Sequence, residues 1–118
     1  MEISLKRIYD APASDDGCRV LVERLWPRGM TKAAAALDLW LKDVAPSADL
    51  RRWYGHDPLR WPGFSRRYRV ELTEHREELD QLLRLAAEGP LTLVFAARDP
   101  QICSARILRD YLLELGGK

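Results

Sequence analysis

Two apolar runs of this sequence, residues 20–22 and 91–97, each lead directly into side chains that could bind an anion. Those side chains are Glu23, Arg24, Trp26 and Arg28 after the first run, and Arg98 and Asp99 after the second. The guanidinium group of arginine presents its N–H donors in a planar fork that matches phosphate and carboxylate oxygens. Three arginines gathered in one place would therefore form a site for a phosphate- or carboxylate-bearing ligand.

Each of the two runs is predicted to be a strand. Residues 20–22, Val-Leu-Val, suit a pleated surface because two of the three are β-branched, and the run is too short for a helix. Residues 91–97 are almost wholly apolar and are bounded by Pro90 and Arg98, which is typical of a central strand buried on both faces. If the two strands are parallel neighbours, their carboxyl ends lie together, and ligands of open α/β sheets bind just beyond such ends.

The alternation of side chains along the first of these strands separates two charges. Arg24 is expected on the face of Val20 and Val22, and Glu23 is expected on the opposite face. The two side chains cannot readily neutralise each other, and a charge left without a partner in a sheet is costly. Each therefore needs a ligand or a partner from elsewhere in the chain.

A structural ion-pair network is the alternative to an anion site. Glu23 would then pair with Arg98, and Asp99 would pair with Arg24 or Arg28, which would fasten together the two loops that follow the strands. Charges at the ends of strands commonly form such pairs. The sequence does not decide between the network and the site, and the two can coexist.

Cys103 is a candidate reactive thiol. The pair Asp99-Pro100 is predicted to cap the last helix, which would place Cys103 in the first turn, where the helix dipole lowers the pKa of a thiol. The alternative is an ordinary buried cysteine, since no histidine lies near it in sequence. His56 and His75 fall in the helical middle of the chain, and no set of side chains at metal-binding spacing predicts a metal or a cofactor.

The remaining segments supply the scaffold around these side chains. Residues 2–9 alternate apolar and polar side chains raggedly and predict a first strand, and the turn formers of residues 10–17 predict a loop. The periodicity of the middle of the chain predicts helices over residues 32–44, 48–54 and 58–88, the last of them with a break at Pro62. Ser47 is predicted to cap the second of these helices.

This order of elements predicts an α/β fold with a small sheet of about three strands and flanking helices. A length of 118 residues and a hydrophobic content of 47% suit a single domain over residues 1–118. The connection between the first two predicted strands is short for a parallel crossover, which favours an antiparallel first pair.

Charge and cysteine content restrict the partners and the compartment. Nineteen basic and eighteen acidic residues leave a net charge of +1, so no global field draws nucleic acid or membranes to the protein. No signal peptide or stretch of membrane-spanning length is visible. Two cysteines without zinc spacing, Cys18 and Cys103, fit a reducing cytoplasm, with a single disulfide between them left open. The sequence does not indicate an oligomeric state.

Nucleic-acid binding is a second function that the sequence suggests. Residues 51–76 contain seven arginines interleaved with five aromatic residues. However, Trp61, Phe64 and Tyr68 lie on the predicted buried stripe of the long helix, and buried rings cannot stack on bases. This interpretation therefore ranks below the anion site. A third interpretation is a protein-interaction module without a small ligand, which would need an exposed apolar patch.

Four parts of the sequence resemble the YeaO-like group of the domain of unknown function 488 family. They are Arg-Val-Leu-Val-Glu-Arg-Leu-Trp-Pro-Arg-Gly (19–29), Ala-Leu-Asp-Leu-Trp-Leu-Lys-Asp-Val-Ala-Pro-Ser (36–47), Trp61 with Phe64 and Arg67-Tyr68, and residues 93–99. The resemblance covers nearly the whole chain. It implies an α/β fold with a mainly parallel sheet and no established reaction, and it takes precedence over the antiparallel first pair.

This chain departs from the family pattern after the last predicted strand. Members of the group usually carry His-Asn-Asn-Ala there, whereas this chain has Ile102, Cys103, Ser104 and Ala105. More distant members carry Cys-His-Arg at about this place, and only Cys103 corresponds to that triplet. The resemblance therefore implies a place for binding more than a place for a reaction.

Overall fold

The protein is built on a small sheet of four parallel strands. The computed structural model describes residues 1–117, in which the strands pair in the order β1, β4, β2, β3. The strands are β1 (Ile3–Arg7), β2 (Cys18–Leu21), β3 (Leu39–Trp40) and β4 (Leu91–Phe95). The α-helices of the described residues are α1 (Lys32–Ala35), α2 (Ala48–Tyr54), α3 (Trp61–Leu72), α4 (Arg76–Glu88) and α5 (Ser104–Gly116).

Strand β4 is the centre of the sheet, and all five of its residues are buried. It pairs in parallel with β2, with Cys18 opposite Leu91 and Leu21 opposite Val94, so the two predicted strands are neighbours. On its other side β4 pairs in parallel with β1, which separates β1 from β2. The α/β class and the mainly parallel sheet are confirmed, while the antiparallel pair that the short connection favoured does not form.

The two faces of the sheet contact different parts of the chain. Val20 and Val22 face the larger core, to which the helices α2 to α5 contribute their buried side chains. Leu21 and Val94 face a smaller core on the opposite side, covered by the segment from Trp26 to Trp40. The predicted alternation is therefore correct for residues 20–22. It does not extend to Glu23, which was expected on the face of Leu21 but lines the same cavity as Phe64 and Cys103 of the larger core.

The predicted helix over residues 32–44 is wrong beyond its first turn. Helix α1 ends at Ala35, and the next residue, Ala36, has a left-handed backbone with φ 49° and ψ 48°. Arg19 then takes the place of further helical hydrogen bonds, since its Nη2 donates to the Ala35 carbonyl at 2.8 Å and its Nε to the Ala36 carbonyl at 3.1 Å. The chain beyond pairs with β2 as strand β3, a tertiary interaction that outweighs the helical periodicity.

The predicted break in the long helix is real but lies elsewhere. Pro62 occupies the first turn of α3, where its missing N–H costs no hydrogen bond. The chain turns instead at residues 73–75, between α3 and α4. A single rod over residues 58–88 would be roughly 45 Å long, longer than the largest extent of the molecule, 38 Å. The turn lets both helices bury one face against the same core.

None of the helices in residues 1–117 is both long enough and apolar enough to cross a membrane. Both cysteines are free thiols, with Cys18 half-buried at the start of β2 and Cys103 buried just before α5, so the disulfide left open by the sequence does not form.

Candidate functional site

A cleft of about 550 Å³ opens at the carboxyl ends of β2 and β4. This is where open α/β sheets bind ligands, because the loops that leave the strand ends part there. Its floor includes Glu23, two residues beyond β2, and Ala96, the residue after β4. The region predicted from the sequence is therefore concave, although most of the side chains that line it differ from those predicted.

Of the six predicted binding residues, Glu23 alone lines the cleft. Arg24 turns away and donates from Nη2 to the Ala45 carbonyl at 3.0 Å and from Nε to the Pro46 carbonyl at 3.2 Å. Trp26 lies on the other face of the sheet, where its Nε1 donates to the Met30 carbonyl at 2.7 Å. Both side chains thus have structural contacts with the backbone.

The other three predicted residues do not gather at the cleft. Arg28 and Arg98 are exposed, and the Asp99 carboxylate accepts a hydrogen bond from the Gln101 N–H at 2.9 Å. The structure pairs Glu23 with neither Arg98 nor any other cation, and it pairs Asp99 with neither Arg24 nor Arg28, among the residues described. The predicted ion-pair network is therefore wrong, because backbone groups bond Glu23, Arg24 and Asp99 instead, and Arg28 and Arg98 lie exposed.

Glu23 lines the cleft, and its carboxylate joins the two strand ends. Its Oε2 accepts a hydrogen bond from the Ala96 N–H at 3.0 Å. Within residues 1–117, Oε1 accepts no hydrogen bond. Burial raises the pKa of this carboxyl, while the Ala96 N–H and the nearby Arg51 charge oppose that rise. A hydrogen-bond donor on a ligand would complete the coordination of this partly desolvated group.

Cys103 is buried at the base of the cleft, with only 3% of the residue exposed. It caps α5 instead of lying in its first turn, and its Sγ–H faces the Pro100 carbonyl at 3.5 Å. Burial raises the pKa of the thiol, which outweighs the opposing effect of the Arg106 and Ala105 N–H groups. The predicted lowering of this pKa is therefore wrong, and the thiolate that nucleophilic chemistry needs is disfavoured.

The wall of the cleft beside β2 is held by side chains from elsewhere in the chain. Tyr68 donates its hydroxyl to the Val44 carbonyl at 2.7 Å, and burial raises the pKa of Tyr68 so that it stays a donor. The Glu71 carboxylate accepts from the Ser47 N–H at 2.8 Å and from the Ser47 hydroxyl at 2.6 Å. These bonds, with those of Arg24, fix the segment that leads into α2.

Helix α2 brings to the cleft cations that were not among the predicted site residues. Ser47 caps this helix as predicted, its hydroxyl accepting from the Leu50 N–H at 3.1 Å. Arg51 and Arg52 lie on α2 and line the cleft together with His56. Arg52 contacts Asp49, whereas Arg51 forms no ion pair within the described part of the chain. The adjacent arginines on a capped helix were visible in the sequence, but which way the helix faces was not.

Aromatic rings form the apolar wall of the cleft. Tyr54, Trp61 and Phe64 line it, with ring centroids 4.6 Å apart for Tyr54 and Phe64 and 5.6 Å apart for Trp61 and Phe64. Phe64 is buried, but Trp61 is only half-buried, so part of its ring faces the cleft. Leu25 and Ile102 also line the cleft and are 69% and 37% exposed. A ligand seated here would cover apolar surface that water now contacts.

The arginines between residues 51 and 76 are mostly engaged with the protein itself. Arg60 and Arg67 lie over the Trp53 ring, with guanidinium carbons 5.4 Å and 3.9 Å from its centroid. Acidic partners contact others of the set, in the pairs Arg52 with Asp49, Arg69 with Glu114 and Arg76 with Asp80. The structure thus offers no continuous row of unengaged cations on which a nucleic-acid backbone would depend.

Neither histidine is part of a metal site in the described residues, where no three His, Cys, Asp or Glu side chains converge. The Nδ1 of His75 lies 4.0 Å from a Glu78 oxygen, and His56 lines the cleft. His56 follows Gly55, and both have left-handed backbones, with φ 59° and 55°. A left-handed conformation is unfavourable for a residue with a Cβ, so the fold holds His56 at the cleft at some cost.

Comparison with known proteins finds one family whose model covers nearly the whole chain. A model of the family described as the inactive DUF488-N3 subclade matches residues 2–116. The uncharacterized protein YeaO of Escherichia coli (strain K12) is 39% identical over 115 residues, which are 98% of this chain and 100% of YeaO. The uncharacterized protein Rv3073c of Mycobacterium tuberculosis (strain ATCC 25618 / H37Rv) is 39% identical over 110 residues, which are 93% of this chain and 92% of that protein. No solved structure matches significantly.

Proposed function

This chain belongs to the family described as the inactive DUF488-N3 subclade, and we propose that it binds an anionic small molecule in the cleft at the carboxyl ends of β2 and β4. The observation that carries the proposal is the meeting of Arg51, Arg52 and His56 in one concave, largely apolar site. Ligand sites are commonly clefts of roughly 300–1,000 Å³ with a few charged groups among apolar walls. The anionic group is a phosphate or a carboxylate, as the sequence predicted, but the cations that bind it are different ones.

Arg51 is the principal anion ligand in this proposal. It has no acidic partner in the described residues, so its five N–H donors are available to a phosphate or carboxylate. Arg52 is partly neutralised by Asp49 and adds a weaker attraction. Ser104, the first residue of the 13-residue helix α5, also lines the cleft, and free N–H groups at a helix start favour negative charge.

The proposed role is binding without a chemical step. The thiol nearest the cleft, Cys103, is buried with a raised pKa, and the Glu23 carboxylate is engaged with the Ala96 N–H. The description of the family as inactive agrees with such a role. The proposal includes a reducing, cytoplasmic location, which the two free thiols support.

Thermal unfolding of the full chain in the presence of anions tests the proposed function. A ligand that binds only the folded state stabilises it by about 2.7 kcal/mol at 100 times its Kd. Inorganic phosphate and citrate, each compared with sodium chloride at equal ionic strength, are expected to raise the Tm. Arg51→Gln is expected to remove most of that rise, because it deletes the charge and keeps much of the side-chain length.

The matched control for this experiment is Arg84→Gln, since Arg84 is an exposed arginine on α4 that does not line the cleft. This variant should keep the full anion-dependent rise in Tm. An equal loss in both variants would mean that the anions act on the general charge of the surface. Absence of any rise above the sodium chloride series, for both anions, would overturn the proposed function.

A further inference from the structure

The shape and chemistry of the cleft narrow the ligand beyond its charge. We propose that the ligand is a nucleoside monophosphate or a molecule of the same chemistry, in which a planar heteroaromatic ring carries a phosphate. The inference rests on the proposed function, since the phosphate takes the anion position at Arg51, Arg52 and His56. It adds a ring position against Trp61 and a polar ring edge at Glu23.

The aromatic wall supplies the ring position. Trp61 and Phe64 are stacked, with an angle of 22° between their planes, and Tyr54 completes the cluster with its centroid 6.0 Å from that of Trp61. The remaining exposed part of Trp61 is a flat apolar surface at the cleft. A planar ring stacks on such a surface, and base stacking on an aromatic side chain contributes about 1–3 kcal/mol.

The apolar rim supports a ring more than it supports a bare anion. Leu25 and Ile102 line the cleft and are substantially exposed, with 69% and 37% of each residue in contact with water. Inorganic phosphate would leave this surface wet, because the ion is small and strongly hydrated. A ring bound between the rim and Trp61 would remove it from water, which is favourable in proportion to the apolar area buried.

Glu23 sets a requirement for a donor on the ring edge. Glu23 lines the cleft, and its Oε2 is held by the Ala96 N–H, while its Oε1 has no hydrogen-bond partner in residues 1–117. An ionised carboxylate oxygen accepts hydrogen bonds and donates none, so the matching ligand group is a donor, either N–H or O–H. The nucleobases carry such N–H groups on their edges, next to acceptors that a carboxylate would not favour. The site therefore selects among bases by the position of the N–H.

The cationic end fits a phosphate better than a single carboxylate. Arg51, Arg52 and His56 offer more donors than one carboxylate can accept, whereas a phosphate dianion has three terminal oxygens. The aromatic wall and the cationic residues line the same cleft, and its volume of about 550 Å³ lies within the range for drug-sized ligands. One molecule can thus reach both.

Isothermal titration calorimetry of the full chain at pH 7.5 and constant ionic strength tests the inference. The probes are the 5′-monophosphates of adenosine, guanosine, cytidine and uridine, together with ribose 5-phosphate and inorganic phosphate. At least one nucleotide is expected to bind about tenfold or more tightly than ribose 5-phosphate, because stacking acts only on the ring. Quenching of tryptophan fluorescence by that nucleotide, and not by ribose 5-phosphate, is the expected second readout.

Two variants assign the ring position. Trp61→Leu and Glu23→Gln are each expected to lower the affinity for the preferred nucleotide about tenfold. The affinity for ribose 5-phosphate should change less than about twofold. In the glutamine variant the amide oxygen keeps the Ala96 bond, so the amide N–H₂ would face the N–H of the ring. Arg51→Gln is expected to lower the affinity for all phosphate-bearing probes by a similar factor.

The outcomes separate this inference from the proposed function. Equal affinity for the nucleotides and ribose 5-phosphate would overturn the ring position and leave anion binding in place. Binding of none of the phosphate probes would overturn both. A nucleotide preference that persists in both Trp61→Leu and Glu23→Gln would also contradict the inference, since the ring would then lie elsewhere. The comparison of probes on the unsubstituted chain does not depend on the folding of any variant.

Discussion

At the scale of single residues, Glu23 shows how one side chain can serve both the fold and the proposed site. Its carboxylate bonds the Ala96 N–H just beyond β4 and so joins the loops that follow β2 and β4. Burial raises the pKa of the same group, which means that the folded state stabilises the charged form less well than water does. A buried carboxylate with an oxygen that accepts no hydrogen bond destabilises the fold, and a ligand that donates a hydrogen bond to that oxygen would offset the cost.

The raised pKa of Glu23 predicts how stability depends on pH. In the folded protein the group binds its proton more tightly than in the unfolded chain. The cost in stability is therefore absent below the ordinary pKa of 4.5, grows as the pH rises from 4.5 to the raised pKa, and is constant above it. Glu23→Gln removes the titration. The variant should therefore gain stability relative to the parent between pH 4 and pH 7, at about 1.4 kcal/mol for each unit of pKa shift.

Urea unfolding at the two pH values measures this difference. The control is Glu74→Gln, because Glu74 is exposed in the turn between α3 and α4. Its substitution should change the free energy of unfolding by the same amount at both pH values. A glutamine variant at position 23 that loses relative stability towards pH 7 would show that the sign is wrong.

At the scale of elements, α2 carries the cations of the cleft, and a hydroxyl group at its start sets its position. Ser47 accepts the Leu50 N–H as the cap of α2 and donates its hydroxyl to Glu71 on α3. The same carboxylate takes the Ser47 N–H, so the start of α2 is fixed to α3 by two bonds besides the cap. The direction in which Arg51 points depends on this attachment.

Replacement of Ser47 by alanine is predicted to affect both stability and ligand binding. Loss of an N-cap costs about 1 kcal/mol, and the lost bond to the Glu71 carboxylate adds to it. Because α2 is then less firmly held, the anion-dependent rise in Tm should fall below that of the parent. Thr31→Ala is the matched control, since Thr31 caps α1 in the same manner, accepting the Ala34 N–H at 3.1 Å, away from the cleft.

The two alanine variants are compared by urea unfolding and by the Tm in phosphate. Both should lose stability, but only the Ser47 variant should lose part of the phosphate response. A full response in that variant would indicate that the attachment to Glu71 does not position the binding residues.

At the scale of the whole molecule, a buried charge cluster fastens the segment over the second face to the sheet. Asp16 is bonded by Lys6 from β1 at 2.9 Å and by Arg19 from β2 at 2.7 Å. Arg19 is 4% exposed and also holds the end of α1 through the Ala35 and Ala36 carbonyls. The cluster thus connects two strands and the segment from Trp26 to Trp40 that packs on the smaller core.

Acid unfolding is predicted to begin at this cluster. The hydrogen bond from Lys6, with those from the Ala13 N–H and Arg19, lowers the pKa of Asp16 to about 2 from its ordinary value of 3.8. The resulting stabilisation is present above pH 3.8 and is lost as the pH falls towards 2. Asp16→Asn should cost about 3 kcal/mol at pH 7, because it leaves the Arg19 charge buried without its partner.

The free energy of unfolding of Asp16→Asn and of the parent, measured from pH 7 to pH 2, tests this role of Asp16. The difference between the two free energies is expected to become smaller towards pH 2. Asp15→Asn is the control, since Asp15 is exposed and adjacent, and it should change stability by less than about 0.5 kcal/mol. A constant difference between Asp16→Asn and the parent over the whole range would contradict the role of this carboxylate.

The elements that the sequence determined are those whose local pattern and tertiary environment agree. The apolar run that became β4, the alternation along β2 and the Ser47 cap of α2 were predictable because burial and capping act on neighbouring residues. The helix predicted over residues 32–44 was wrong beyond its first turn, because Leu39 and Trp40 pair with β2. This is a long-range interaction, and the helical spacing of apolar residues gives no information about it.

The location of the candidate site was determined by the sequence, and its composition was decided by the tertiary structure. Parallel neighbours must bring their carboxyl ends together, so a cleft beyond β2 and β4 followed from the strands alone. Arg24, which closely follows β2, instead donates hydrogen bonds to the Ala45 and Pro46 carbonyls. Arg51 lies on α2, which contributes to the cleft at the strand ends. The direction in which a helix face points depends on tertiary packing, which local sequence spacing does not specify.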